Sequence, residues 1–271
     1  MVVTMNYKFL PLLIVSCFSA SSVLAEPTEL GSSTDWDIDI TAYAFIPVST
    51  QGTSTIAGSS IDLDLDLQDA LDLLNFAMSA RLEAWKGDFG LILDTNYLSL
   101  SAGGSTTLPG PITASVDVDI KQAWLGLLAG YRVAEGTYGK AGRRYSFDIQ
   151  GGVRYNSLEQ TVTATGTGPA AGTVLGGTET WLEPTIGVRG LWSLSDEWTT
   201  FVMADAGGFG VNGDRLQWSA TLGFDYSPWE NGSLKFGWRY YGIDFSTTRS
   251  DGVFAYDVIQ NGPIFGYTHQ F

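Results

Sequence analysis

The sequence predicts an all-β chain closed into an antiparallel transmembrane β-barrel of about ten strands, and three observations carry that prediction. Apolar and polar residues alternate with period two through segment after segment, as in a wall with one face on lipid and one on a lumen. After Ala25 no apolar run reaches about 18 residues, so no helix is available to cross a bilayer, and a chain that crosses without helices must close as a barrel. Connections alternate between short and long, the arrangement of a barrel with tight turns at one rim and loops at the other.

The first 25 residues stand apart. Lys8 precedes an apolar run from Phe9 to Phe18, and Ser19-Ala20-Ser21-Ser22-Val23-Leu24-Ala25 follows with the small residues of a cleavage site, so residues 1–25 are expected to be an export signal peptide cut before Glu26. Met5 is an alternative start. Cys17 lies within this stretch, which leaves residues 26–271 without a thiol. Ile14-Val15-Ser16-Cys17 loosely resembles a lipoprotein box, the second reading of the same segment.

Strands are expected near 35–47, 74–86, 89–100, 114–133, 143–162, 179–194, 197–208, 214–227, 232–245 and 254–271. The clearest is 214–227, where Leu216, Trp218, Ala220, Leu222, Phe224 and Tyr226 share one face and Gln217, Ser219, Thr221 and Asp225 the other. Leu234, Phe236, Trp238 and Tyr240 repeat it, with Lys235, Arg239 and Tyr241 opposite. In 114–133 the phase changes: Val116, Val118 and Ile120 alternate in one register and Leu125, Leu127 and Tyr131 in the other, which a β-bulge near Lys121 or Gln122 would reconcile. An eight-strand barrel with extended extramembrane hairpins is the alternative architecture. The nine Trp and twelve Tyr are expected in interfacial girdles, with Trp36, Trp192, Trp198, Trp229 and Tyr267 at strand ends.

Phe265, Tyr267 and Phe271 are in phase at the C-terminus and resemble the assembly signal read by the barrel-assembly machinery of bacterial outer membranes, with His269 standing where that signal is usually more hydrophobic. Asp69 to Leu74, Glu83 to Gly90, Asp94 to Tyr97, Asp205 to Val211, Phe236 to Tyr240 and Gly262 to Gly266 resemble small porin-like outer-membrane β-barrel proteins of Gram-negative bacteria. That resemblance spans nearly the whole of 26–271. It implies a location in the cell outer membrane, with membrane lipid and lipopolysaccharide as surroundings, and assigns neither substrate nor reaction.

Composition narrows the function classes. With a formal charge of -15 and a pI near 4.2, the chain would repel nucleic acid. The charged residues expected in the lumen are Arg81, Glu83, Asp94, Asp148, Arg154, Glu183, Arg189, Asp205, Lys235 and Arg239, with both signs in similar numbers. Asp94, Arg154, Arg189, Asp205 and Arg239 fall at comparable middle heights. They either neutralise one another inside a narrow barrel or line a constricted path and set its ion preference.

The acidic excess lies elsewhere, largely in a first long loop over 48–73. There Ile61-Asp62-Leu63-Asp64-Leu65-Asp66-Leu67 alternates strictly, with a helical turn or two expected at Asp69 to Asp72. An extended strand or hairpin with its Leu edge on the barrel mouth explains it; Asp62, Asp64 and Asp66 are a weak candidate for a divalent cation, because alternation forms no closed coordinating loop. Gly207-Gly208-Phe209-Gly210-Val211-Asn212-Gly213-Asp214 lacks the Lys-Ser or Lys-Thr of a phosphate loop and reads as a tight turn, and Gly166 to Gly172 reads as an external loop.

No catalytic residue is expected, since the sole His269 sits two residues from the C-terminus, far from any outer-rim triad, and no cofactor motif is present. Two functions remain: a narrow passive channel for small solutes, or a structural component of the membrane, in either case on a porin-like scaffold; and an adhesion or ligand-binding barrel with a sealed lumen, acting through loops near 48–73 and 163–178.

Overall fold

The computed structural model describes residues 34–107, 113–166 and 172–271. The expected signal peptide, with Cys17, and most of the loop from Gly166 to Gly172 lie outside the described residues. Twelve antiparallel strands run in the order β1(Asp37–Phe45), β2(Ser49–Ile56), β3(Ser59–Leu65), β4(Leu74–Lys86), β5(Phe89–Thr107), β6(Thr113–Tyr138), β7(Arg143–Gly166), β8(Thr173–Ser193), β9(Trp198–Val211), β10(Asp214–Trp229), β11(Gly232–Arg249) and β12(Gly252–Gln270), with helix α1(Leu67–Leu73) before β4. Strand β1 pairs with β4 on one side and β12 on the other, so the ring closes through every strand except β2 and β3, which leaves ten in the barrel. Ten is the expected number. Closure pairs the backbone around the ring and leaves no sheet edge in lipid.

The exterior carries the apolar phase. Leu127, Ile186, Leu222 and Phe265 are 57%, 60%, 56% and 56% exposed, on four different strands. On β7 this face runs from Tyr145 to Tyr155, and on β8 from Leu182 to Trp192, about ten residues each and the height of a bilayer core for tilted strands. A continuous apolar belt of this kind is far larger than a water-exposed surface sustains, so it faces lipid. Trp36, Trp229 and Tyr267 are exposed at the rim where β1 begins and β12 ends, as expected of anchors.

Strands β5 to β8 continue well past the belt, and there the wall inverts. No bulge occurs at Lys121 or Gln122: β6 pairs with β5 without a break, and its register shift against β7 lies instead between Arg132 and Ala134. Ile120 therefore points inward and packs against a buried apolar cluster, while the Lys121 ammonium meets Glu159 at 2.7 Å on the outside. The phase change in 114–133 records the point at which the exterior passes from lipid to water. Inside and outside exchange polarity because each face meets a different medium.

The first long loop is the hairpin β2–β3 followed by α1. Strand β2 pairs with the upper part of β12, from Ala255↔Thr55 to Asn261↔Ser49, and so continues the wall that β1 begins. Asp66 caps α1, its Oδ1 accepting the amides of Gln68 at 2.8 Å and Asp69 at 3.0 Å, while Asp69 accepts the Asp66 amide in return. Leu63 packs on the central apolar cluster, as the Leu edge was expected to do.

Candidate functional site

The lumen is filled in two storeys. In the lower one, toward the rim where β1 begins and β12 ends, Arg189 donates through Nε and Nη2 to Asp148 at 2.9 and 2.7 Å and through Nη1 to Glu83. Arg132 donates to the other Asp148 oxygen at 3.0 Å, and Trp85 Nε1 donates to Glu83 at 2.8 Å. The Arg132 and Arg189 guanidiniums lie 5.1 and 5.0 Å from the Trp85 ring. Arg81 joins Glu83, Asp94 at 3.2 Å and the Gln150 amide oxygen at 3.2 Å, and Tyr43 donates to Asp94 at 3.1 Å.

Above these, Arg154 bridges Glu183 at 3.3 Å and Asp205, which also accepts Ser219 Oγ. Nearer the terminal rim, beside the turn that joins β10 to β11, Lys235 pairs with Asp225 at 2.7 Å and sits 4.3 Å from the Phe201 ring. Arg239 donates to Thr221 at 3.1 Å, with its guanidinium 5.2 Å from the Tyr43 ring. All ten charged residues expected in the lumen are there. Of the five set at middle height, Arg154 and Asp205 pair directly, whereas Arg189 turns to Asp148 and Glu83, and Asp94 to Arg81. Arg132, Asp214 and Asp225 belong to the same interior without being among the charges expected there, although Asp225 is read on the polar phase of its strand; inward phase was the available signal.

The upper storey is apolar. Trp181 stacks on Phe245 with ring centroids 3.9 Å apart, and Trp124 on Tyr241 at 5.4 Å, each joining one wall to another across the lumen. Leu158, Ile243, Phe254, Tyr256 and Val258 belong to the same cluster, which continues down among the charges through Leu191, Phe201 and Ile264. Opposite walls also bond directly: Gln122 Nε2 donates to Tyr241 at 2.6 Å, Gln160 Nε2 to the Ala255 carbonyl at 3.2 Å, and Ser54 of the β2–β3 hairpin to Gln160 Oε1. The hairpin thus closes over the mouth. This corrects the assignment of the aromatics to girdles, since Trp85, Trp124 and Trp181 fill the interior instead.

Strand β9 pairs with β8 only from Thr185 to Ser193, so the edge of β8 above Thr185 must be covered otherwise. The β11–β12 tip does so. Arg249 donates to the carbonyls of Gly176 at 3.2 Å and Thr178 at 3.3 Å and pairs with Glu179, while Asp251 accepts the Gly176 amide at 3.0 Å. That amide, then the backbone amide of Asp251 itself and the Arg249 charge, hold the Asp251 carboxyl below its ordinary pKa.

The best-formed cavities among the described residues are small. Two adjoining cavities of about 30 Å³ each share Arg81, Asp94, Met203 and Arg239 in their walls, room for isolated waters rather than for a solute in transit. A third, about 10 Å³, lies beneath α1 between Pro47, Leu65, Leu71 and Leu98. Asp66 is committed to its helix cap and Asp64 accepts Gln51, and among the described residues no three His, Cys, Asp or Glu side chains converge. Phe265, Tyr267 and Phe271 share the outer face of the terminal rim, with His269 4.6 Å from the Phe271 ring.

The sequence matches no protein-family model and no curated protein. Among solved structures it is similar to the translocator domain of the autotransporter NalP from Neisseria meningitidis, at 15% identity over 90% of this chain and 91% of that one, with a TM-score of 0.41. Neisserial surface protein A aligns at 11% identity over 87% and 97% of the two chains with a TM-score of 0.33, and the Yersinia pestis attachment invasion locus protein Ail at 9% over 87% and 99% with 0.34. Likenesses this distant carry no argument about function; the barrel rests on its own closed pairing and lipid-facing belt.

Proposed function

We propose that this chain is an integral outer-membrane β-barrel with a sealed lumen that works by binding a partner at its outer rim, and that it neither conducts solutes nor catalyses a reaction. The observation that carries the reading is the double blockage of the interior, charge-paired below and aromatic-stacked above, with cavities of about 30 Å³ between. A channel needs a continuous wet path, whereas here each lumen charge named above meets a neighbour in the wall or across it. The investment in structure lies beyond the belt: β6 and β7 run for 26 and 24 residues, more than twice what a bilayer requires, and the β2–β3 hairpin and α1 add to the same end. This projecting end, with the hairpin over 48–73 and the start of β8, is the surface offered for binding.

The test is conductance of the purified, heat-modifiable protein in a planar bilayer. Folded protein that gives no discrete steps supports a sealed barrel. Reproducible steps whose ion preference shifts on Arg239→Gln would replace this reading with the channel one.

A further inference from the structure

The lumen network fails to balance at one place. Arg154 divides its guanidinium between Asp205 and Glu183, and Asp214 receives a neutral indole N–H from Trp181 at 2.8 Å where its neighbours receive cations. Glu183 and Asp214 are both 0% exposed, and their carboxyl groups face one another. Five polar atoms of this set lack partners. Glu183 Oε2, Asp214 Oδ1, Thr185 Oγ1 and both polar atoms of the Gln217 amide are buried without a hydrogen bond, and Gln217 itself is 0% exposed.

The strand register brings this set together. Thr185 of β8, Gly207 of β9 and Gln217 of β10 form one cross-strand row, so the side chains of Thr185 and Gln217 flank the bare Gly207 on the lumen face. Glu183 lies over that gap: a Cβ at position 207 would stand 2.6 Å from its Oε1. Asp214 lies over the next residue, where a Cβ on Gly208 would stand 2.7 Å from Oδ1. The two glycines are the floor on which the carboxylates rest, a role that the turn reading of Gly207-Gly208 did not contain.

We propose that Glu183 and Asp214, with the Gln217 amide oxygen and the Thr185 hydroxyl, hold a Ca²⁺ ion in the wall of the barrel. A mixed set of carboxylate, amide and hydroxyl oxygens is the donor chemistry of that ion, and its irregular geometry suits Ca²⁺ better than the strict octahedron of Mg²⁺. A proton shared between the two carboxyls would relieve their repulsion but leave Gln217 and Thr185 unmatched, whereas a cation uses every oxygen in the set. The nearest cavity is lined by Arg154, Asp205 and Ser219, and Arg154 Nη1 reaches from it to Glu183 at 3.3 Å. Bound there, the ion ties β8 to β10 just where β8 loses its pairing with β9.

Trp181 makes the site testable by terbium luminescence, because its indole already touches Asp214. In full-length folded protein stripped with chelator, indole excitation is expected to give saturable Tb³⁺ emission that Ca²⁺ displaces. Emission falls at least tenfold in Asp214→Asn, falls several-fold in Trp181→Phe, and persists when Asp62, Asp64 and Asp66 are all changed to Asn. Independently of any variant, Ca²⁺ raises the Tm of the parent protein and chelator lowers it. Absence of both saturable emission and a Ca²⁺-dependent Tm in the parent would overturn the site in favour of a shared proton. So would emission that survives Asp214→Asn and disappears with the three loop substitutions.

Discussion

Replacing Arg189 by Met removes the hub of the lower lumen while roughly keeping its volume. The guanidinium, 4% exposed, makes three charge-assisted hydrogen bonds, two to Asp148 and one to Glu83, and adds a contact with the Trp85 ring. Hydrogen bonds to charged groups contribute about 1.5–3 kcal/mol each, an upper bound here because Arg132 still serves Asp148 and Arg81 still serves Glu83. Breaking a buried pair from one side costs about 3–5 kcal/mol, chiefly through the carboxylate left behind, and that is the loss expected in reversible urea unfolding followed by tryptophan fluorescence. Arg189→Met combined with Asp148→Asn is expected to recover part of it, since the stranded charge goes too. A single Arg189→Met variant within about 1 kcal/mol of the parent would show that water or rearranged neighbours satisfy the carboxylates, and would refute the account of the lumen as a tightly paired core.

Trp181→Ala with Phe245→Ala deletes the closest stacked pair of the upper storey and is expected to lower the Tm without giving conductance steps in bilayers, because the charge-paired storey below still blocks the lumen; steps in this variant would show that the aromatic plug alone seals the barrel. Gly223→Leu would drive a side chain into Phe201, since even a Cβ there falls 2.4 Å from its ring and 2.5 Å from the Phe236 carbonyl; loss of the heat-modifiable folded band on gels is the expected readout. The lowered pKa of Asp251 stabilises the β11–β12 tip above the unfolded value of about 3.9 and is lost as pH falls through the folded value. The protection of the Gly176 amide against hydrogen exchange, taken relative to the intrinsic rate at each pH, is therefore expected to hold steady from neutrality down to about pH 4 and to fall below it, and a loss of protection already at pH 6 would contradict the contact. Deleting Phe271, exposed on the terminal rim, is expected to slow assembly into membranes while leaving the stability of protein already folded nearly unchanged.

Period-two alternation is a property of each strand alone, so the strand positions and the inward phase of residues such as Arg81, Asp148 and Arg239 were legible before any partner was known. Strand ends were less so. Residues 101–107 and 163–166 extend β5 and β7 beyond the lipid belt, where Ser, Thr and Gly replace the apolar phase and the barrel pattern fades. Residues 49–65 could be foreseen as a hairpin only in outline, because the pairing of β2 with β12 joins residues about 200 positions apart.

By itself the sequence determined the class of the molecule, since alternation, turn chemistry and the lack of a helical span are local and leave a closed barrel as the one way to satisfy the backbone in lipid. It also placed ten charges on the inward phase, though not Arg132 or Asp214. Only the tertiary structure decided what those charges and rings do, because stagger between strands sets which heights meet. That stagger puts Arg189 beside Asp148 and Glu83, lays Trp181 on Phe245, and leaves Glu183 and Asp214 facing across two glycines. Whether a lumen is a path or a core depends on contacts across the barrel, and no period along the chain encodes them.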